Sequence, residues 1–170
     1  MKPLADLSRD TARALRAIFC DIDDTLTTAG RLRPGAYAAL WRLAEAGLAV
    51  VPVTGRPAGW AHAMISLCDI AAVVSENGGL TFVREGSTIR RLYGIAEESL
   101  AEWRKRMWDA VAHVTKEVAG IRLSSDSKYR EVDLAIDWNE EVHVSPEQAE
   151  QVVVLLRQRG FTAVRSSVHV

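Results

Sequence analysis

Three short apolar runs recur in the first eighty residues, each followed by a polar loop: "AIFCD" at 17–21, "LAVVPVTG" at 48–55 and "AAVVSENGG" at 71–79. Each reads as a buried strand, being brief, apolar and bounded by turn residues. Between the first two, "AYAALWRLAEAG" carries a helical stripe (Ala36, Leu40, Leu43, Ala44) and stops at Gly47, a natural helix C-cap. Between the second and third, Pro57 in "GRPAGWAHAMISLCDI" suits the first turn of another helix. Strand–helix–strand–helix–strand at this spacing requires right-handed crossovers and a parallel sheet covered by helices. Ligand-binding residues in such sheets gather beyond the carboxyl ends of the strands. Asp21, Asp23, Thr54, Gly55, Ser75, Glu76 and Asn77 all fall there.

The first of those ends is unusual. "AIFCDIDDTLTT" drives an apolar strand into Asp21, Asp23 and Asp24, although aspartate is a poor strand former and the three repel one another. Residues two apart in a strand point the same way, so Asp21 and Asp23 share a face while Asp24 is directed elsewhere. Two carboxylates so close are relieved by a cation, and a hard divalent ion such as magnesium prefers oxygen ligands and substrate phosphate. With the ion in place, one carboxylate can serve as a nucleophile and its neighbour as a proton carrier.

Composition narrows the classes. Of 170 residues, 48% are hydrophobic and 25% charged, enough to build a real core, and the net charge of −1 gives no field for nucleic acid or membrane. Two cysteines make no disulfide framework, and "MKPLADLSRDTARALRA" has no apolar signal segment, so a cytoplasmic protein is expected. "EWRKRMW" at 102–108 resembles a nucleic-acid patch until its periodicity assigns Trp103 and Met107 to a core stripe. The four histidines share no metal-ligand spacing.

Near residue 80 the character changes. A hairpin is expected around Glu85–Gly86, then a long helix near 96–118 with Leu100, Trp103, Met107, Val111, Val114 and Val118 on one stripe. "REVDLAID" alternates as a half-buried strand does, "SPEQAEQVVVLLRQRG" is a helix capped by Ser145, and "FTAVRSSVHV" reads as a last strand. The expected organisation is α/β: a partial Rossmann-like parallel-sheet core over residues 1–80 and an α+β cap domain over 81–170. The alternation in "KYREVDLAID" puts Tyr129, Glu131, Asp133 and Asp137 on one face, suited to reading a hydroxyl-rich leaving group or simply a solvated surface.

"DIDDTLT" resembles the first motif of the haloacid dehalogenase superfamily, Asp-x-Asp-x-Thr, and "VPVTGRP" resembles its second, a strand ending in Thr or Ser. "SENGG" looks like the point where members with a large inserted cap leave the core, and the sugar-phosphatase-like branch is the nearest match. The resemblance implies a magnesium-dependent phosphatase acting on a small phosphate ester, a sugar phosphate, through an aspartyl-phosphate. Asp21 would be the nucleophile. Asp23 would protonate the leaving group and later activate water, and both would hold Mg²⁺, Asp23 through its backbone carbonyl. Thr54 would hydrogen-bond the transferring phosphate, and Gly55 would let the backbone approach it. Arg56 is placed to reach phosphate or to form a surface salt bridge, and Asn77, at the third strand's end, to bind phosphate or substrate or simply to supply a turn.

That family also needs a lysine and an acidic pair after the cap. The lysines here are Lys2, Lys105, Lys116 and Lys128, and no acid follows Glu150. Residues 1–170 are therefore expected to be incomplete for catalysis. Three readings remain open: the front of a longer enzyme, a chain completed by a partner, or a catalytically silent binding or interaction module. Without strands on its far side, "AIFCDID" would be an exposed sheet edge, and self-association through that edge is the partner expectation.

Overall fold

The computed structural model describes residues 3–170. In chain order it contains α1 (Arg9–Ala14), β1 (Ala17–Asp21), β2 (Thr27–Thr28), β3 (Arg31–Leu32), α2 (Pro34–Glu45), β4 (Ala49–Val53), α3 (Ala58–Leu67), β5 (Ala72–Ser75), β6 (Leu80–Glu85) and β7 (Thr88–Tyr93). Then come α4 (Leu100–Glu117), β8 (Arg122–Leu123), β9 (Ile136–Asp137) and α5 (Pro146–Gln158). The chain divides into two compact units, one of residues up to Arg56 with Trp60–Leu92, the other of Pro57–Gly59 with Tyr93–Val170.

The first unit is built on a five-stranded sheet of order β1-β4-β5-β6-β7. β1, β4 and β5 run parallel, as the strand–helix rhythm requires, and β6 turns back antiparallel to β5. The hairpin at 80–93, assigned from sequence to the second unit, thus extends the core sheet instead. One face of the sheet is sealed: Val50, Pro52, Val73, Ser75, Leu80 and Phe82 share it by register and are all buried. α3 packs there, with the His62 ring edge-on to Phe82 at 5.5 Å. On the opposite face Val51 is buried, while Phe19 is 69% exposed and Val53 36%. The expectation that 17–21 is a buried strand is corrected: Phe19 and Asp21 are exposed, and β4 is the one strand beside β1 among the described residues.

The second unit is α+β. The apolar stripe of α4 (Met107, Val111, Val114) and that of α5 (Ala149, Val152, Val153) are buried. Val111, Val114, Ala149 and Val152 close on Ile121, Ile136 and Trp138. α5 opens with a full capping box, in which the Ser145 hydroxyl accepts from the Gln148 N–H and the Gln148 side chain accepts from the Ser145 N–H. Trp103 donates its indole N–H to the Val132 carbonyl at 2.8 Å, which ties α4 to the chain before β9.

The expected strand over 130–137 survives only as Ile136–Asp137, and 161–170 forms a single bridge, His169 to Asp137. The reason is that the acids of this stretch are used locally. Buried Arg130 donates from Nε and Nη2 to Asp126 at 3.0 and 2.9 Å and from Nη1 to Asp133 at 2.7 Å. Burial alone would lower its pKa, and the two carboxylates more than reverse that. Glu131 accepts from the Tyr93 hydroxyl at 2.9 Å. Asp137, only 1% exposed, accepts from the backbone N–H groups of Glu140, Glu141 and Val142 at 2.8, 3.0 and 3.3 Å. A common acidic face therefore does not form.

Burial pushes the Asp137 carboxyl up, but those three N–H donors, with His169 nearby, hold it below its ordinary value. Its stabilisation is present above the unfolded carboxyl pKa and is lost as pH falls through the lower folded value. Asp137→Asn is expected to cost about 1.5–3 kcal/mol at neutral pH. Urea melts at pH 7 and pH 3 check this: the variant should lose part of the acid sensitivity of the parent.

Candidate active site

β1 ends at Asp21, and Ile22–Leu26 is a tight turn rather than more strand. Asp23 keeps extended angles, but Asp24 enters the left-handed region at φ 55°. The turn is pinned from below: Ile22 is wholly buried, and the Thr27 hydroxyl donates to the Ile22 carbonyl at 2.9 Å. Ile22 and Thr27 are the buried residues of this stretch, so Asp21, Asp23 and Asp24 are left exposed above them. The face-sharing argument from strand alternation thus stops at Asp21, and it is the turn that carries Asp23.

Register brings the second strand end alongside. Asp21 pairs with Val53 across the β1–β4 ladder, so Thr54 follows one residue beyond. Thr54 is buried at 4% exposure, and its N–H donates to the Val74 carbonyl at 2.9 Å. Its hydroxyl accepts from the Arg56 N–H at 3.1 Å, a local turn that holds the loop after β4. The Arg56 carbonyl accepts in turn from the Glu76 N–H at 3.1 Å, tying the loop after β4 to the one after β5. Three strand ends meet here, as the sequence indicates.

Arg56 lies against a carboxylate. Its Nη2 is 2.6 Å from Asp23 Oδ1, and its Nε donates to Oδ1 and Oδ2 at 3.0 and 3.1 Å. The guanidinium also stands 5.2 Å above the Trp60 ring. Trp60 was missed by sequence reasoning, although its place four residues after Arg56, one turn into α3, was the available signal. Both partners of the ion pair are substantially exposed, so it orients Asp23 more than it stabilises the fold.

A Cβ at Gly55 would lie 2.9 Å from Asn77 Oδ1, so the glycine makes room for the Asn77 side chain. Asn77 and the preceding Glu76 both hold positive φ, 55° and 49°, and Glu76 is 2% exposed. Two consecutive non-glycine residues in that region are costly, and such strain persists where the surroundings fix it. Glu76 joins the candidate residues on this ground. Cys20 belongs to packing: burial pushes its thiol up, and Asp21 adds to the effect.

Among the described residues no group of three or more His, Cys, Asp or Glu side chains is placed to hold a metal. The oxygen donors of Asp21 and Asp23 nonetheless suit magnesium, which takes one or two carboxylates and completes its shell with water and phosphate. No helix among the described residues is long and apolar enough to cross a membrane.

Comparison with known proteins agrees with this geometry. A family model described as haloacid dehalogenase-like hydrolase matches residues 18–109. The chain is similar to Thermoplasma acidophilum 0175 at 20% identity and TM-score 0.69, over 91% of this chain and 63% of that one. It is similar to the C-terminal domain of trehalose-6-phosphate phosphatase from C. albicans at 17% identity and TM-score 0.61, over 85% and 50%. Against IMP-nucleotidase from Plasmodium falciparum the values are 13% and 0.53, over 85% and 41%. The chain thus spans less than two thirds of the length of each of these solved structures, from 41% to 63%. No curated protein matches it.

Gly55→Ala should push the Asn77 side chain aside at a cost on the order of 1 kcal/mol. In an Asn77→Ala background the same change should cost nothing, and a thermal-melt double-mutant cycle checks the coupling.

Proposed function

Because this chain belongs to the haloacid dehalogenase-like hydrolases, whose family model spans more than half of it, we propose that it carries the nucleophile half of a phosphatase site. The observation that carries this reading is the pair of exposed carboxylates, Asp21 and Asp23, at the end of β1, with Thr54 at the adjacent end of β4.

In this reading an Asp21 carboxylate oxygen attacks phosphorus, the P–O bond to the leaving alcohol breaks, and Asp23 delivers the proton that alcohol needs. Water then attacks the aspartyl-phosphate, Asp23 takes its proton, and phosphate is released with Asp21 restored. Thr54 offers its hydroxyl to a phosphate oxygen. Arg56, released from Asp23, offers its fork to another. Backbone N–H groups where α3 begins favour the same anion. Asp21 and the backbone carbonyl of Asp23 would hold Mg²⁺, which when bound neutralises charge on the phosphoryl group.

The substrate we propose is a small phosphate ester with a sugar-like alcohol. Support comes from the fold it shares with a trehalose-6-phosphate phosphatase domain, while the likeness to an IMP-nucleotidase keeps nucleotides as the competing class. An acidic sugar-reading face gives no support, since Asp133 and Asp137 are engaged by Arg130 and by backbone N–H groups.

Beryllofluoride with Mg²⁺ tests the site without requiring turnover. An adduct on Asp21 should appear in ¹⁹F NMR, vanish in Asp21→Asn, and weaken roughly tenfold or more in Arg56→Ala, a loss of about 1.4 kcal/mol. No adduct in the parent chain would favour the silent-module reading.

A further inference from the structure

We propose that Trp60 is a positioning residue of the candidate site: its ring is the platform on which the Arg56 guanidinium exchanges Asp23 for a phosphate oxygen. The role presupposes the phosphatase reading of the site. The backbone of Arg56 is fixed on both sides, its N–H donating to the Thr54 hydroxyl and its carbonyl accepting from the Glu76 N–H, each at 3.1 Å. The side chain that leaves this anchored backbone is long, and holding it in one rotamer costs entropy. Asp23 alone is a weak clamp for it, since both members of the pair are substantially exposed to water. The Trp60 ring, with the guanidinium carbon 5.2 Å above its centre, supplies a second hold.

Two features make this ring a platform rather than a piece of core. Beyond the first turn of α3 the buried side chains are Ala61, Met64, Ile65 and Cys68, one stripe at helical spacing, and Trp60 lies at its edge rather than within it. The two holds on Arg56 also differ in kind. Asp23 is gripped by directed bonds, with Nη2 2.6 Å from Oδ1 and Nε donating to Oδ1 and Oδ2 at 3.0 and 3.1 Å. A phosphate would be gripped by the same N–H fork. The ring instead attracts the charge itself through its π face, and makes no demand on which anion the N–H groups meet. The guanidinium therefore keeps its seat while its anionic partner changes. The order of the side chain is not lost and regained during the exchange.

Beryllofluoride binding to the 170-residue chain with Mg²⁺, followed by ¹⁹F NMR, tests this. Trp60→Leu should weaken the Asp21 adduct about threefold to fivefold, and Trp60→Phe, which keeps a ring, should retain most of the affinity. In an Arg56→Ala background Trp60→Leu should change nothing, because no guanidinium is left to hold. In the free protein the Arg56 Nε–H resonance should broaden in Trp60→Leu and stay sharp in Trp60→Phe. Circular dichroism checks the fold; should Trp60→Leu unfold, Trp60→Met, with apolar bulk and no ring, gives the same reading. An adduct indifferent to Trp60, or one weakened equally with and without Arg56, would overturn the platform and leave the phosphatase reading intact. No adduct in the parent chain would overturn both.

Discussion

The parallel ladder between β1 and β4 is the constraint on which the rest of the first unit hangs. It matches Ala17 to Ala49 and Asp21 to Val53, residue for residue. A slip of one residue would turn Phe19 toward the sealed face and carry Asp21 away from Thr54. The buried face holds the register, since Val50 and Pro52 of β4 sit among Val73, Ser75, Leu80 and Phe82 with no room for a change of side. Ile22, buried in the turn beyond Asp21, fixes the end of the ladder in the same way. Chemistry at the strand ends is thus positioned by apolar side chains that never meet a ligand.

How much of this was legible in the sequence depends on whether local signals decided the outcome. Where they did, the reading holds. Gly47 ends α2 at φ 82°, Ser145 caps α5, and Gly160 follows it at φ 81°. The α4 stripe Met107, Val111, Val114 is buried as its spacing implies. Where side-chain hydrogen bonding decided, the reading fails. "REVDLAID" has a strand's alternation, but Arg130, Tyr93 and the N–H groups of 140–142 each claim one of its acids, and only Ile136–Asp137 remains ladder. Periodicity counts faces and is blind to such partners.

The site shows the same division. Asp21, Thr54 and Asn77 lie where strand order places them. Asp23 reaches the site by a turn, and a Cβ at Gly55 would meet the Asn77 side chain, a contact that no motif announces. Trp60 under Arg56 follows from neither motif nor period, since it depends on which way the guanidinium leans. The edge position of β1 is a different case. Strand order is a global property, and an apolar run with nothing to shield it reads as a covered strand, which is why 17–21 is expected to be buried.

Charge bookkeeping around the β1 turn links fold to chemistry. Three exposed carboxylates stand on Asp21, Asp23 and Asp24, and among the described residues the guanidinium bound to them is that of Arg56, on Asp23. Two negative charges remain, which is the deficit a divalent cation would balance. An arriving phosphate would compete for Arg56 and leave Asp23 without its partner, so anion and cation would be taken up more readily together than apart. That coupling arises because the loop sets more carboxylate than guanidinium above a buried isoleucine. The fold tolerates the imbalance because Ile22 and Thr27 anchor the turn from beneath, independently of what binds above.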